Sequence, residues 1–352
     1  MQYARLGETG LIVSRLALGS MTFGAGAGIF ASVAKVDQKS ANDLVARAID
    51  GGINFFNSAD VYAGGESERI LGKAIGTKRR DVVIATKLGN RMSPALIDSG
   101  LSRRHVLAAA DASLERLGTD YIDVYLVHKI DPLTPVEETI EALEDLVRAG
   151  KVRYVGFSNW PAWLAAKAVG IQNARGWSAF RAAEMYYSLV GRDLEHEVVP
   201  FCADAGIGVM VWSPLAGGFL SGKYTREKPK GEGGDRLGGF DFLPYDRARG
   251  YDLVDLMRTI GEKRGATPAQ VALAWLLTRP TVSSLLIGAS SAKQLADNVG
   301  AVDVKLAAED LAALDAATKP TQPYPNWFTD RVADGKAHDA LGIKLAVPPL
   351  SR

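Results

Sequence analysis

The sequence predicts an α/β fold, a (β/α)8 TIM barrel with an N-terminal β-hairpin and long βα loops. Short apolar or β-branched runs alternate with longer segments of helical period along the 352 residues. The connections are mostly too short to hold a second domain, which favours one barrel domain over 1–352. No G-x-G-x-x-G motif follows the first barrel strand and opens a helix, which disfavours a doubly wound sheet.

The hairpin is predicted from "ARLGETGLIVSRLALG", in which Gly7 to Gly10 form the turn between two short alternating runs. Strands of the barrel are expected where β-branched and apolar residues cluster between turn signals. Their predicted ranges are 16–18, 53–56, 82–86, 122–127, 152–157, 182–186, 208–212 and 284–287.

The helices between these strands carry recognisable ends. In "TPVEETIEALEDLVRAG", Thr134 is expected to cap the helix, Pro135 to occupy its first position and Glu137 to complete a capping box, with Gly150 just past the end. The same capping pattern occurs in "TPAQVALAWLLTR", formed by Thr267, Pro268 and Gln270. One apolar face is predicted in "SRRHVLAAADASLERLG", formed by Val106, Ala110, Leu114 and Leu117.

Composition excludes several classes of function. Lys plus Arg number 41 against 40 for Asp plus Glu, with no basic block, so we expect no nucleic-acid partner. Cys202 is the single cysteine, which rules out an intramolecular disulfide and favours a reducing compartment, the cytoplasm by default. We expect no signal peptide and no membrane span, since the apolar run at 271–277 is too short. A homo-oligomer is left open.

Three segments exceed ordinary loop lengths: 24–38, 213–250 and 319–352. In a barrel the first two leave strand ends and rise from the face that carries active sites. For the glycine-rich part at 226–240, a surface insertion without fixed structure is the alternative.

Titratable and polar side chains follow three successive predicted strands. Asn57 and Tyr62 follow the second strand, Lys87 ends the third and His128 ends the fourth. Each alone has an ordinary explanation in packing or solvent exposure. Together they indicate a catalytic site, because an unpaired charge buried at a barrel rim costs several kcal/mol.

These residue types suit proton transfer to an oxygen. An ammonium close to a tyrosine stabilises the phenolate and lowers the pKa of the phenol, which is otherwise near 10. His128 could donate a hydrogen bond to the same substrate oxygen. A lyase or isomerase that uses Lys87 as a Schiff base is an alternative, but it would leave "SPLAGGFLSGK" and "FSNW" without a role. We expect no metal ion at this site.

The chain resembles the aldo-keto reductase superfamily, bacterial members in particular. The resemblance rests on "RLGETGLIVSRLALGSMTFG", "RAGKVRYVGFSNW", "GIGVMVWSPLAGGFLSGKY" and "LLIGASSAKQLADN", which occur in the family's order. It implies a (β/α)8 NAD(P)(H)-dependent carbonyl reductase or alcohol dehydrogenase with a tetrad of Asp, Tyr, Lys and His. By motif, Tyr62 matches the proton donor, Lys87 its partner and His128 the imidazole that orients the substrate, while Asn57 stands where the family has Asp.

The resemblance also implies a set of cofactor-binding residues. Ser158 and Asn159 match the pair that holds the carboxamide, and Trp212 matches the residue stacked on the nicotinamide. The remaining positions are Met21, then Ser213, Leu215, Gly217 and Lys223 in the pyrophosphate loop, and Gly288, Ser290, Ser291, Gln294 and Asn298 at the adenosine end.

Two departures from the family pattern concern charge. Asn57 can accept a hydrogen bond from Lys87 but cannot neutralise it, so we expect phenolate to be more available and alcohol oxidation to be favoured. Glu184 stands where the family commonly has Gln. It could supply the charge missing at Asn57, or accept from the carboxamide NH2 with little effect. Asp60 is not needed as a substitute acid, since related chains keep an acid there as well.

Cofactor preference and substrate follow less directly. NADP(H) is favoured by the resemblance, while NAD(H) remains possible because "GASSAKQLADN" offers only Lys293 as a cation for a 2′-phosphate. The substrate is expected to be a small carbonyl or alcohol in a partly apolar pocket. Phe23, Phe30, Trp160 and Trp327 are its predicted walls. A slow-turnover nicotinamide-binding redox-sensing module is the alternative function.

Overall fold

The computed structural model describes residues 1–26, 31–229, 237 and 241–342, and the chain begins there with the predicted hairpin. Strand β1 (Tyr3–Arg5) pairs antiparallel with β2 (Ile12–Ser14). Gly7 forms the turn at φ 56°, where a Cβ would lie 2.4 Å from the Gly206 carbonyl oxygen. The turn therefore requires glycine, both for its backbone conformation and for its contact with the barrel.

The barrel prediction is confirmed. Its strands are all parallel to their neighbours and close in the order β10-β3-β4-β5-β6-β7-β8-β9. In chain order they are β3 (Leu16–Gly19), β4 (Phe55–Asn57), β5 (Val83–Leu88), β6 (Ile122–Val127), β7 (Val152–Ser158), β8 (Ala182–Tyr186), β9 (Gly208–Trp212) and β10 (Val282–Ile287).

Helices surround the barrel, as the alternating pattern predicted. Over the described residues they are α1 (Gln38–Asp50), α2 (Glu66–Ile75), α3 (Arg103–Leu117), α4 (Val136–Arg148), α5 (Ala162–Ala174), α6 (Val198–Asp204), α7 (Arg247–Arg264), α8 (Pro268–Leu277), α9 (Ala292–Val299), α10 (Ala308–Ala317), α11 (Asn326–Arg331) and α12 (Gly335–Ala340).

Side chains of alternating residues on each strand enter two different cores. In β6, Val124 and Leu126 lie inside the barrel, whereas Tyr125 and Val127 pack outward against the helices. Leu6 and Val13 of the hairpin are buried with the interior set, so the hairpin closes the amino-terminal end of the barrel. The opposite rim, at the carboxyl ends of the strands, is left to carry polar groups.

Two of the predictions made for the helices are confirmed, and one prediction of a helix end is not. Thr267 and Gln270 form the expected capping box of α8, and the apolar face predicted for α3 is buried. The capping prediction for Thr134 is wrong. Pro135, predicted as the first helical residue, instead holds the N-cap with a non-helical ψ of 135°, so α4 begins one residue later than predicted. No side chain caps this end, so the capping box with Glu137 is absent, and the Thr134 hydroxyl donates to Asp131 Oδ2 at 2.7 Å.

The long loops are partly ordered around the rim. Gly24 donates through its backbone N–H to the Val36 carbonyl at 2.8 Å, which folds the first loop back on itself. The second loop runs from a 3₁₀ turn (Ala216–Ser221) to α7. Much of the proposed insertion at 226–240, with Phe30 of the first loop, lies outside the described residues. None of the described helices has the length and apolar character that crossing a bilayer requires.

Candidate active site

The four predicted tetrad positions converge at the carboxyl rim of the barrel. Asn57 is the last residue of β4, Lys87 lies within β5 and His128 directly follows β6. Tyr62 begins a short turn (Tyr62–Gly65) in which Ala63 has a left-handed φ of 48°. The turn brings the phenol back over the end of the neighbouring strand, where its oxygen lies 3.3 Å from Lys87 Nζ.

The Lys87 ammonium is completely buried and surrounded by oxygen atoms. Besides the Tyr62 phenol, Nζ donates to Asn57 Oδ1 at 2.9 Å and to the Ser58 carbonyl at 2.7 Å. Glu184, within β8 across the barrel, places its Oε1 3.1 Å from Nζ. Lys87 therefore has a carboxylate partner, although Asn57 cannot be one.

The expectation that phenolate is more available considered Asn57 alone, and Glu184 changes the charge beside Lys87. Glu184 Oε2 also accepts a hydrogen bond from Asn57 Nδ2 at 2.7 Å, so the amide links the ammonium to the carboxylate. Burial alone would lower the pKa of Lys87, but Glu184 and Tyr62 together outweigh it and the pKa is raised. Burial raises the pKa of Glu184, and Lys87 opposes that rise. Of the two alternatives for Glu184, this geometry supports the one in which it supplies the missing charge.

His128 is oriented by a residue that the sequence reasoning missed. Asn90 Nδ2 lies 2.9 Å from His128 Nδ1, and an amide NH2 can only donate, so Nδ1 accepts and the proton of the neutral ring sits on Nε2. Burial, then the charge of Lys87, hold the pKa of His128 well below its usual value. Asn90 follows Lys87 by three positions, on a loop that the strand prediction already placed at the rim.

Ser158, Asn159 and Trp212 form a connected group beside the tetrad. The Asn159 amide donates to the Ser158 hydroxyl at 2.9 Å and accepts from Trp212 Nε1 at 2.9 Å. Asn159 adopts a left-handed φ of 57°, which asparagine tolerates better than most residues. The Trp212 ring stacks nearly parallel to Phe242, with centroids 6.3 Å apart.

One cavity of about 900 Å³ joins the tetrad to most of the predicted cofactor residues. Thr22, Ser32, Lys35 and Asn90 line it as well and were not predicted from the sequence. The predicted residues that line it are Met21, Asn57, Tyr62, His128, Ser158, Asn159, Glu184, Trp212, Ser213, Leu215, Gly217, Lys223, Gly288, Ser290, Gln294 and Asn298.

One side of this cavity is lined by a loop with several left-handed residues. Ser213 and Ala216 have left-handed φ values of 49° and 48°, and Gly217 and Gly218 follow at 69° and 96°. The glycines allow the chain to turn tightly at this point, where the Ala216 and Gly218 N–H groups donate to the Ser213 and Leu215 carbonyls. The aromatic and polar groups that line the cavity, among them Trp212, Lys223 and Ser290, suit a nicotinamide dinucleotide.

Four predicted positions are placed elsewhere. Phe23 and Trp160 are buried in the apolar core and are absent from the residues that line the cavity. Trp327 packs with Tyr324 and Phe328 on the outer surface, away from the cavity lining. Ser291 does not line the cavity either, since its hydroxyl caps α9 by accepting from the Gln294 N–H at 3.2 Å.

Comparisons with known proteins agree with this geometry. A sequence model of the aldo/keto reductase family matches residues 15–319. The chain belongs to this family. Its members are oxidoreductases that use nicotinamide cofactors, generally NADPH, and act on small carbonyl compounds.

The relatives of this family member span most of its length. It is 35% identical to versiconal hemiacetal acetate reductase of Aspergillus parasiticus, over 92% of this chain and 99% of that protein. It is 37% identical to the uncharacterized oxidoreductase YrpG of Bacillus subtilis, over 90% and 95% of the two chains. A probable voltage-gated potassium channel subunit beta of Arabidopsis thaliana is 37% identical, over 86% and 92%.

Proposed function

We propose that the chain interconverts an aldehyde or ketone and the corresponding alcohol by NAD(P)(H)-dependent hydride transfer, with Tyr62 as the acid and base. One observation carries the proposal. The Tyr62 phenol oxygen lies 3.3 Å from the buried Lys87 ammonium. The Tyr62 ring lies edge-on to the His128 ring, with centroids 6.0 Å apart, and both residues line the cavity together with Trp212. A phenol and an imidazole thus face the same cavity, and a buried ammonium lies directly behind the phenol.

Each residue has a defined part in this reaction. A bound nicotinamide ring supplies or takes up the hydride. Tyr62 gives its hydroxyl proton to the substrate oxygen during reduction and recovers it during oxidation, and the Lys87 ammonium stabilises the phenolate in between. His128 keeps its proton on Nε2 and donates to the same oxygen, because Asn90 occupies Nδ1. Tyr62, Lys87 and His128 are the catalytic residues, and Asn57 joins them through Lys87.

The cofactor is held by the groups that line the rest of the cavity. Ser158 and Asn159 would hold the carboxamide, Trp212 the ring, the 213–223 loop the pyrophosphate and the 288–298 segment the adenosine end. NADP(H) is favoured over NAD(H), with Lys293 as the cation that a 2′-phosphate would meet. Fluorescence titrations should give a lower Kd for NADPH than for NADH, and Lys293→Ala should weaken NADPH alone.

The test of the reaction is a panel of aldehydes, ketones and secondary alcohols, each with the preferred dinucleotide. We expect turnover of at least one pair in both directions, with consumption of dinucleotide matching alcohol formed. Lys87→Met should abolish it, whereas Lys151→Met, at an exposed ion pair with Asp111, should leave it unchanged. A protein that binds dinucleotide tightly and turns over no member of the panel would contradict the proposal.

A second candidate function is a slow-turnover nicotinamide-binding module whose redox state regulates a partner. The observation that favours it is the similarity to proteins named as potassium channel β subunits. A fast first turnover followed by a steady rate at least a hundredfold slower would support this candidate. Equal single-turnover and steady-state rates would support the enzyme.

A further inference from the structure

The charge that holds the Lys87 ammonium lies on a different strand from the one the family pattern uses. Glu184 on β8 supplies the carboxylate and Asn57 on β4 supplies the amide. We propose that Glu184 is the positioning residue for Lys87 and that residues 57 and 184 form an exchangeable pair, in which carboxylate and amide have traded strands. The inference rests on the proposed function, because it explains how the same proton-transfer group is kept.

The hydrogen bonds make the two residues depend on each other. Asn57 accepts from Lys87 through Oδ1 at 2.9 Å and donates to Glu184 through Nδ2 at 2.7 Å. An aspartate at position 57 could not donate, and two carboxylates would then face each other at hydrogen-bond distance. Such carboxylates cannot both ionise, so one of them would take up a proton.

Asn57→Asp would give the cluster one carboxylate too many, whereas removal of the Glu184 carboxylate leaves it with none. Glu184→Gln leaves the completely buried Lys87 without the anion that now lies 3.1 Å from it. A buried ammonium without a negatively charged partner either loses its proton or moves toward solvent. In either case the Tyr62 phenolate loses a cation at a fixed distance.

The double exchange restores both properties at once. With Asp at 57 and Gln at 184, the new carboxylate accepts from Lys87 and the new amide donates to that carboxylate. The net charge of the cluster and its set of donors and acceptors are unchanged. We therefore expect Asn57→Asp and Glu184→Gln to be harmful singly and nearly neutral together.

The first readout is kcat in the direction of carbonyl reduction. Each single variant should lose at least tenfold, and the double variant should return to within about threefold of the parent. A double variant that loses as much as the product of the single losses would overturn the proposal. Glu195→Gln, which alters a carboxylate bound to Arg192 away from the cavity, is the matched control and should leave kcat unchanged.

The second readout separates positioning from a merely structural role. The titratable groups that face Lys87 are Tyr62, Glu184, His128 and Asp60. In Glu184→Gln the basic limb of the kcat profile for reduction should move to lower pH, because either Lys87 or Tyr62 then deprotonates more easily. The double variant should move it back. A profile in Glu184→Gln that coincides with the parent's would overturn the proposal.

The third readout does not depend on turnover. The melting temperature should fall in each single variant and recover in the double variant, while the dinucleotide Kd changes less than threefold. If the parent turns over no substrate, the proposed function fails, but this thermal cycle still tests the exchange. Where a single variant does not fold, Asn57→Ala replaces it. That variant keeps the Glu184 to Lys87 pair and should retain more kcat than Glu184→Gln, and the reverse order would overturn the proposal.

Discussion

Two buried carboxylates beneath the rim have similar surroundings but different partners. Glu184 is 3% exposed and each of its oxygens has a partner, the Lys87 ammonium and the Asn57 amide. Asp60 is completely buried, yet neither of its oxygens has a side-chain hydrogen-bond partner among the described residues. Burial, then the nearby Glu68 carboxylate, raise the pKa of Asp60 to about 7. Burial is the main cause that raises the pKa of both carboxyl groups, and Glu184 differs from Asp60 in having Lys87 and Asn57 as hydrogen-bonded partners that oppose the rise.

The largest expected effect comes from removing the partner of Glu184. Lys87→Met takes away the cation beside Tyr62 and leaves Glu184 buried without a counter-ion, so the carboxyl should stay protonated. We expect kcat to fall at least a thousandfold, consistent with the loss of acid and base catalysis together with its electrostatic support. Steady-state rates with a fixed dinucleotide measure the change. A residual rate above one tenth of the parent's would show that the ammonium is dispensable.

The next effect concerns Asp60 and the stability of the fold. The pKa of Asp60 is about 7 in the folded chain, whereas in the unfolded chain it is the ordinary value of 3.8. Between these two pH values the folded chain binds one proton at Asp60 that the unfolded chain has lost. Stability should then be greatest at low pH for this group and fall as pH rises, by roughly 2 to 4 kcal/mol in all between about pH 4 and 8.

Asp60→Asn removes this titration and should flatten the stability profile. Urea unfolding of the parent and the variant at matched pH values measures the difference. We expect the variant to be more stable than the parent at pH 8 and the two to approach each other near pH 4. Parallel profiles over this range would show that Asp60 ionises normally in the folded state.

A smaller effect is expected at the histidine. Asn90→Leu removes the donor to His128 Nδ1, so the ring is free to carry its proton on either nitrogen. About a fivefold fall in kcat/KM is expected, the size that follows from losing one hydrogen bond of roughly 1 kcal/mol in a buried site. Asn173→Leu, on the outer helix α5, is the control. Equal effects of the two changes would argue against the role of Asn90.

The smallest effect distinguishes two neighbouring serines. Ser291 caps α9, so Ser291→Ala should lower stability by about 1 kcal/mol and leave the dinucleotide Kd nearly unchanged. Ser290 lines the cavity, so Ser290→Ala should weaken the dinucleotide with little change in stability. Thermal melts and binding titrations on both variants give the comparison. A larger loss of dinucleotide affinity in Ser291→Ala than in Ser290→Ala would show that Ser291 contacts the cofactor.

Local patterns in the sequence were sufficient for the barrel and for most of the rim. The position at which a strand ends is set by residues close to it in the sequence. Asn57, Lys87 and His128 each stand at the end of an apolar run, so they were predicted to meet at one rim of the barrel. The capping box at Thr267 was predicted for the same reason. The prediction for Thr134 failed because Pro135 takes a non-helical conformation and moves the start of the helix one residue along the chain.

Contacts between distant strands could not be predicted in this way. Glu184 follows Lys87 by almost a hundred positions, and only closure of the barrel brings β5 and β8 to the same ammonium. The aromatic residues failed for a related reason. Phe23 and Trp160 lie beside rim residues in the sequence, but their side chains point into the core, and a loop pattern does not fix that direction.

The most direct measurement of the central claim is the single-turnover rate of hydride transfer by Tyr62→Phe with saturating dinucleotide and substrate. The phenol oxygen lies 3.3 Å from the ammonium and is the proton donor of the proposed reaction. Its removal should slow the transfer at least a hundredfold with the dinucleotide Kd unchanged, whereas Tyr324→Phe, on the exposed tail, should have no effect. A Tyr62→Phe variant that transfers hydride at the parent's rate would contradict the account.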